Sequence, residues 1–277
     1  MTTRPNLRDY LLRSLSQLPG PTRTYAIHVL ESAPRASADV FPYVSPRPRW
    51  SVRDVFVILS EELVGDEAAS SAPESAQAVG PSTLRTRVFV CALDAVLYTH
   101  APTRTALFYI SKVDSTGQAR TDAPAPTRAF VDAFIRYHAD VQTRPTWFYS
   151  PGSGSGTEGQ TGEDAPGTLF VHVFARAQRQ YLFPNSADYA GKRVLSDQGL
   201  CKWWRSTLSP AAGTSLAAYY VLPGMESDEA LRALGPAPSG WTYGHPYNDT
   251  RIPFPARGMG PGVTGLVPWF EDDAKSR

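Results

Sequence analysis

Residues 180–208, QYLFPNSADYAGKRVLSDQGLCKWWRSTL, hold the reading on which the rest of the chain depends. The stretch leaves an aromatic, apolar strand end and passes through a turn with two adjacent basic residues, Lys192 and Arg193. It then enters a helix, with Ser196 placed as its N-cap. That helix carries adjacent tryptophans, Trp203 and Trp204. Neighbouring helix positions point about 100° apart, so one apolar stripe does not easily hold both indoles, and something else must need the second.

Outward from this stretch, helical and strand patterns alternate. Residues 168–177, TLFVHVFARA, predict a buried strand immediately before it. Residues 215–224 predict a strand after it, and 227–234 a short helix opened by Ser227. Further upstream, Leu7, Leu11, Leu15 and Leu18 recur at helical spacing. The β-branched and aromatic runs 24–32, 54–63, 86–99 and 105–117 predict strands, the last ending in a turn from Asp114 to Gly117. Residues 126–141 predict a helix with Phe130, Phe134 and Tyr137 on one face. Two segments lack core-forming side chains: a low-complexity excursion at about 66–82, and the Gly/Ser-rich run 150–167, which reads as a flexible linker. Neither half beside that linker is self-sufficient. The expectation is one α/β domain over residues 1–277, with a central mixed sheet surrounded by helices.

Composition narrows the function. A net charge of +1 argues against gross electrostatic binding to nucleic acid or to a membrane surface. No apolar run of membrane-spanning length and no signal-like N-terminus is present. Two cysteines, Cys91 and Cys201, lie far apart and outside any CxxC spacing, which suggests a reducing compartment and buried thiols. Five histidines include no metal-ligating pair, so no metal is expected, and His28 and His172, inside strand patterns, read as core histidines. GPGVTG at 260–265 fits the letters of a dinucleotide loop and RGMGPG at 257–262 those of an acetyltransferase phosphate loop. Both lack the strand-loop-helix context and read as loop, part of a Pro/Gly-rich wrapping that runs to Pro268. No serine-hydrolase elbow is present.

The opening stretch resembles the signature segment of a fungal histone acetyltransferase family, the regulator of Ty transposition family. That signature is a Gln-Tyr-Leu-Phe-Pro turn, a Lys-basic pair, an apolar pair, then Lys-Trp-Trp on a helix. LFYISKVDSTG at 107–117 resembles the family's strand ending in Ser-Lys-x-Asp-x-x-Gly, and LVPWFEDDAKSR at 266–277 its Asp-Asp-x-Lys-x-Arg loop. The resemblance implies a fold like that of the CREB-binding-protein acetyltransferases and acetyl-coenzyme A as donor. It implies histone H-three as acceptor, at core-helix and tail lysines. It also implies histone chaperones of the anti-silencing and nucleosome-assembly types as partners, and a nuclear role in chromatin assembly and the DNA-damage response. Relatives continue past the acidic pair with more helix and a basic tail, so a shortened chain is expected. Two rivals differ in class: a catalytically inactive chaperone-binding module on the same fold, and an acetyltransferase acting on a small amine.

By resemblance the roles fall as follows. Val113, Asp114 and Ser115, at a strand end where α/β sheets commonly hold ligands, take the acetyl and pantetheine end; the bland alternative is an ordinary Asp turn. Pro124, Ala125, Pro126, Thr127 and Arg128 enter a helix whose free N–H groups suit a pyrophosphate. Phe174 and Gln178 flank the cofactor, and Arg193, Val194 and Leu195 meet its nucleotide end, with Lys192 nearby. Trp203 packs on the cofactor, while Trp204 and Tyr181 line a lysine channel. Asp273, with Asp272 beside it, is the candidate general base, and Lys275 the site of autoacetylation. From the residues alone, WFEDDAKSR reads as a solvated chain end.

Overall fold

The computed structural model describes residues 5–37, 48–64, 85–100, 102, 105–140, 142–144, 169–211, 217–244 and 263–269, with backbone alone at 64, 210–211 and 263–269. The excursion at 66–82, the run 150–167, His245, Asp272, Asp273 and Lys275 lie outside the described residues. In chain order the elements are α1 (Leu7–Ser16), β1 (Thr24–Glu31), β2 (Arg35–Ser37), β3 (Trp50–Val64), β4 (Arg85–His100), β5 (Thr105–Ser115), α2 (Thr127–Ala139), β6 (Leu169–Phe174), α3 (Asp197–Ala211), β7 (Ala218–Tyr220), α4 (Ser227–Leu234), β8 (Trp241–Tyr243) and β9 (Val263–Trp269).

A seven-stranded sheet runs in the order β1-β3-β4-β5-β6-β9, with β2 pairing along β3. The strands from β1 to β5 pair antiparallel. β6 then joins β5 in parallel, and β9 joins β6 in parallel. A parallel neighbour needs a long crossover, and α2 lies on the one between β5 and β6. The mixed sheet flanked by helices is the expected fold class.

Helical spacing builds the layer over the sheet. Leu7, Leu11 and Leu15 bury one face of α1, and Tyr10 meets Tyr137 of α2 with ring centroids 5.4 Å apart. Asn6 starts α1 by accepting the Asp9 N–H at 2.8 Å. On α2, Phe130 and Phe134 are buried, and Phe134 sets its edge against Phe108 of β5 at 5.4 Å. The end of α2 is closed by Arg144, which donates to the carbonyls of His138 at 2.7 Å and Ala139 at 2.6 Å. A cation on the last carbonyls of a helix is favoured by its dipole.

Several expectations change. His28 is exposed on β1 and His172 only half-buried on β6; the core histidine is His138, 2% exposed among Phe108, Phe134 and Tyr137. Burial pushes its pKa down to about 3. Strand positions with alternating exposure bury only every second side chain, and His28 falls on the outer face. The strand read at 215–224 shortens to β7, which leaves the main sheet and pairs in parallel with β8, a strand the wrapping had hidden. The same wrapping contains β9, so residues 263–265 of GPGVTG are strand, and Pro268 sits opposite Val173. Proline lacks the N–H that a central strand needs, and among the described strands β9 stands at the end of the order, with a ladder on one side. α4 opens at Ser227 as expected. Glu226 is the N-cap, and its backbone N–H donates to the Glu229 carboxylate at 3.1 Å.

Candidate active site

Two irregularities in the sheet open a slot. β6 pairs with β5 only from Ala106 to Ile110, and the β4–β5 register slips beside that point, leaving Ser111 as an extra residue opposite Asp94 and Ala95. Beyond Ile110, β5 runs on to Ser115 with no strand among the described residues on its β6 side. A cavity of about 370 Å³ lies there, walled by Ile110 to Ser115, by the start of α2, by the chain leaving β6, and by the first half of α3. Ser111 is held down by donating from its hydroxyl to the Asp94 carboxylate at 2.9 Å. The cavity stands at the carboxyl ends of two parallel strands, where an α/β sheet leaves a crevice as its connections diverge.

Asp114 fixes the geometry of this end. Its Oδ2 accepts the backbone N–H groups of Tyr181 and Leu182, both at 2.9 Å, and Oδ1 accepts that of Ser115 at 2.9 Å. The Lys192 ammonium closes on Oδ1 and on the Ser115 carbonyl. The pair is buried, with 4% of the lysine side chain and 5% of the aspartate exposed. Burial alone would raise the carboxyl pKa, but the Lys192 ammonium and the Tyr181 and Leu182 N–H groups outweigh it and hold it below the ordinary range. A carboxylate held by these four donors is a brace between β5 and the 181–192 segment. Lys192 likewise proves to be an internal counter-ion, where most Lys-Arg pairs are surface charges.

Two glycines make the brace possible. A Cβ on Gly117, whose φ is +83°, would stand 2.3 Å from the Lys192 nitrogen, and one on Gly191 would stand 2.1 Å from the Gly117 carbonyl oxygen. The backbones cross at a distance that only glycine permits.

The tryptophans divide the wall. Trp204 is 3% exposed and part of the core, whereas Trp203 is half-buried, and both line the cavity. Their rings meet edge to face, centroids 4.9 Å apart at 86°. α3 begins as expected, with the Ser196 hydroxyl accepting the Gly199 N–H at 3.2 Å. Tyr181 turns its hydroxyl to the Arg176 carbonyl and presents its ring to the cavity. Burial raises its phenol pKa, so at neutral pH the hydroxyl is a donor.

The rim is cationic. Lys112, Arg128, Arg176, Lys192 and Arg193 line the cavity, and among the described lining residues Asp114 is the one carboxylate. The start of α2 faces the same space. Pro126 caps it without a side-chain hydrogen bond, its first turn holds no acid, and Phe130 is the residue whose N–H returns to the Pro126 carbonyl. The N–H groups of Thr127, Arg128 and Ala129 therefore lack an intrahelical acceptor. An uncapped helix start beside arginines is suited to phosphate, and a strand edge with open backbone groups is suited to an amide-bearing arm.

The cavity thus gathers Val113, Asp114, Ser115, Ala125, Thr127, Arg128, Phe174, Gln178, Tyr181, Arg193, Val194, Leu195, Trp203 and Trp204. Pro124 and Pro126 belong to the same loop but not to its lining. Ser111, Lys112, Arg176 and Leu200 line it without having been singled out from sequence. Ser111 and Lys112 stand in the Ser-Lys-x-Asp pattern, so the signal was present there; nothing local marked the other two.

A family model described as the histone acetyltransferase KAT11-type domain matches residues 163–277. The chain is similar to histone acetyltransferase rtt109 of Aspergillus flavus, 28% identical over 225 residues that form 69% of this chain and 35% of that protein. It is 30% identical over 109 residues to RTT109 of Candida albicans, covering 39% of this chain and 27% of that one. With rtt109 of Schizosaccharomyces pombe it shares 30% identity over 134 residues, 48% and 29% of the two chains. The chain therefore spans well under half the length of these curated relatives. The crystal structure of Rtt109 from Aspergillus fumigatus superposes with a TM-score of 0.59 at 21% identity, covering 87% of this chain and 58% of that one, which establishes a shared fold. The chain is similar to the fungal Rtt109-type histone acetyltransferases, sharing the fold of one over 87% of its length and the pattern of the KAT11-type domain over residues 163–277.

Proposed function

We propose that this chain transfers an acetyl group from acetyl-coenzyme A to lysine side chains of histone H-three. The observation that carries the reading is the slot beside β5, where an open strand edge leads to an uncapped helix start and a cationic rim. Those features fit a long, thin ligand with amides along its arm and phosphates at its end. Ser111 to Ser115 would hold the arm, Arg128, Arg193 and the N–H groups of Thr127 and Arg128 the phosphates, and Trp203 the face of the ligand. When bound, acetyl-coenzyme A supplies the acetyl group as a thioester.

The acceptor must arrive as a neutral amine, and a free lysine has a pKa of about 10.4. The aromatic wall of Trp204 and Tyr181 shields a lysine stem and disfavours its charged form, which lowers that pKa. Asp273 is the proposed general base, with Asp272 beside it, and Lys275 the proposed autoacetylated residue; all three rest on the resemblance of 266–277. By the same resemblance, histone chaperones of the anti-silencing and nucleosome-assembly types present the histone, and the work is done in the nucleus. A net charge of +1 gives the chain little pull of its own on a basic histone, which is the physical reason to expect a chaperone.

Calorimetry with acetyl-coenzyme A and with free coenzyme A tests the reading, followed by transfer to histone H-three. A ligand at a hundredfold its Kd stabilises the fold by about 2.7 kcal/mol, visible as a rise in Tm. No binding heat and an unmoved melting curve would overturn the proposal; binding without transfer would favour the inactive module.

A further inference from the structure

Arg23, between α1 and β1, and Glu61, on β3, form a forked ion pair deep in the fold. Arg23 Nε donates to Oε1 at 2.5 Å and Nη2 to Oε2 at 2.6 Å, with 5% of the arginine side chain and 0% of the glutamate exposed. The remaining terminal nitrogen, Nη1, donates to the carbonyl of Pro124 at 2.9 Å. Pro124 is two residues before Pro126, the cap of α2.

A buried ion pair is a poor way to gain stability, because desolvation offsets most of its attraction. What a guanidinium does well is geometry: it is rigid and planar and binds three acceptors in one fixed arrangement. The loop it holds needs such help. Pro124 and Pro126 have no N–H, and α2 has no side-chain cap to set where it starts. The arginine joins this loop to β3, the second strand of the sheet.

Taking the acetyl-coenzyme A reading above as its basis, we infer that Arg23, oriented by Glu61, is a positioning residue for the phosphate end of the site. It holds the Pro124 carbonyl, and through it the N–H groups of Thr127 and Arg128, at a fixed distance from β5. It touches no reacting atom.

The test compares the unaltered chain with Arg23→Lys, Arg23→Met and the double variant Arg23→Met/Glu61→Leu. Each is measured for Tm, for acetyl-coenzyme A affinity by calorimetry, and for amide hydrogen exchange at 130–133, the first bonded turn of α2, without ligand. Arg23→Met strands a buried carboxylate and lowers Tm; the double variant replaces the pair by apolar side chains and recovers it. Affinity is expected to fall about tenfold in both, the loss of roughly one charge-assisted hydrogen bond, with KM for acetyl-coenzyme A raised and kcat kept. Exchange at 130–133, the first amides of α2 with intrahelical acceptors, is expected to quicken in both. Arg23→Lys keeps the charge but not the fork, and falls between. If affinity returns together with Tm in the double variant, or exchange at 130–133 is unchanged in all three, Arg23 is a structural residue only and the inference is overturned. An unaltered chain that binds no acetyl-coenzyme A refutes the proposed function instead, while the exchange measurement still decides whether Arg23 holds the loop.

Discussion

Asp114 shows how a single side chain can hold a site without reacting in it. Four donors from two segments far apart in sequence hold it, and removing its charge leaves the Lys192 ammonium buried and unpaired. Asp114→Asn is expected to cost about 3 kcal/mol at pH 7. The folded carboxyl titrates below its ordinary value, so its contribution is present above the unfolded pKa near 3.9. It is lost as pH falls through the folded value. The stability gap between the two proteins, read from urea midpoints, should therefore be full at pH 7 and 5 and close in strong acid. The tryptophans separate at this scale too. Trp204→Ala, at a 3% exposed core position, should destabilise by about 4 kcal/mol. Trp203→Ala should leave Tm nearly unchanged and weaken acetyl-coenzyme A instead. Equal effects of the two on Tm and on affinity would remove that division.

Among the elements, the decisive contact is between two turns. The turn after β5 and the one before α3 meet at Gly117 and Gly191, where a Cβ would collide with backbone and no side chain can move aside. Gly191→Ala is expected to cost about 3 kcal/mol, the upper end of overpacking, and to free Lys192 from Asp114. Gly224 is the control. Its φ is +78° and nothing lies within 4 Å of an added Cβ, so Gly224→Ala should cost only about 1 kcal/mol of backbone strain. Chemical denaturation of both variants checks the order. If Gly224→Ala is the costlier change, the crossing is looser than described.

On the scale of the whole molecule, one sheet collects strands from Thr24 to Trp269, so the fold is expected to lose stability as a unit when acidified. His138 contributes to that loss. Its folded pKa of about 3 lies below the unfolded value near 6.5, so between those values the unfolded chain takes up a proton that the folded one refuses. Stability attributable to His138 is full above pH 6.5 and falls by about 1.4 kcal/mol per pH unit below it. A His138→Gln variant, less stable at pH 7, should lose less than the unaltered chain between pH 6.5 and 5. Parallel losses in the two proteins would exclude this histidine as a cause of acid unfolding.

The sequence by itself determined the elements whose period is strong. The Leu7–Leu11–Leu15 stripe, the long β-branched runs of β3 to β5 and the Phe130–Phe134 face each repeat a local geometry, which neighbouring residues alone can specify. It also carried the candidate site as three motifs, and residues from two of them, 107–117 and 180–208, meet in the cavity. Only the tertiary structure decided the rest. Short strands such as β8 and the proline-bearing β9 have little intrinsic preference and exist because a partner strand is beside them. Whether a polar group is a reagent or a brace depends on which donors the fold brings to it, and Asp114 and Lys192 are 78 residues apart in the chain. Arg23 and Glu61 give no local sign of their pairing, because the distance that matters to them is across the sheet.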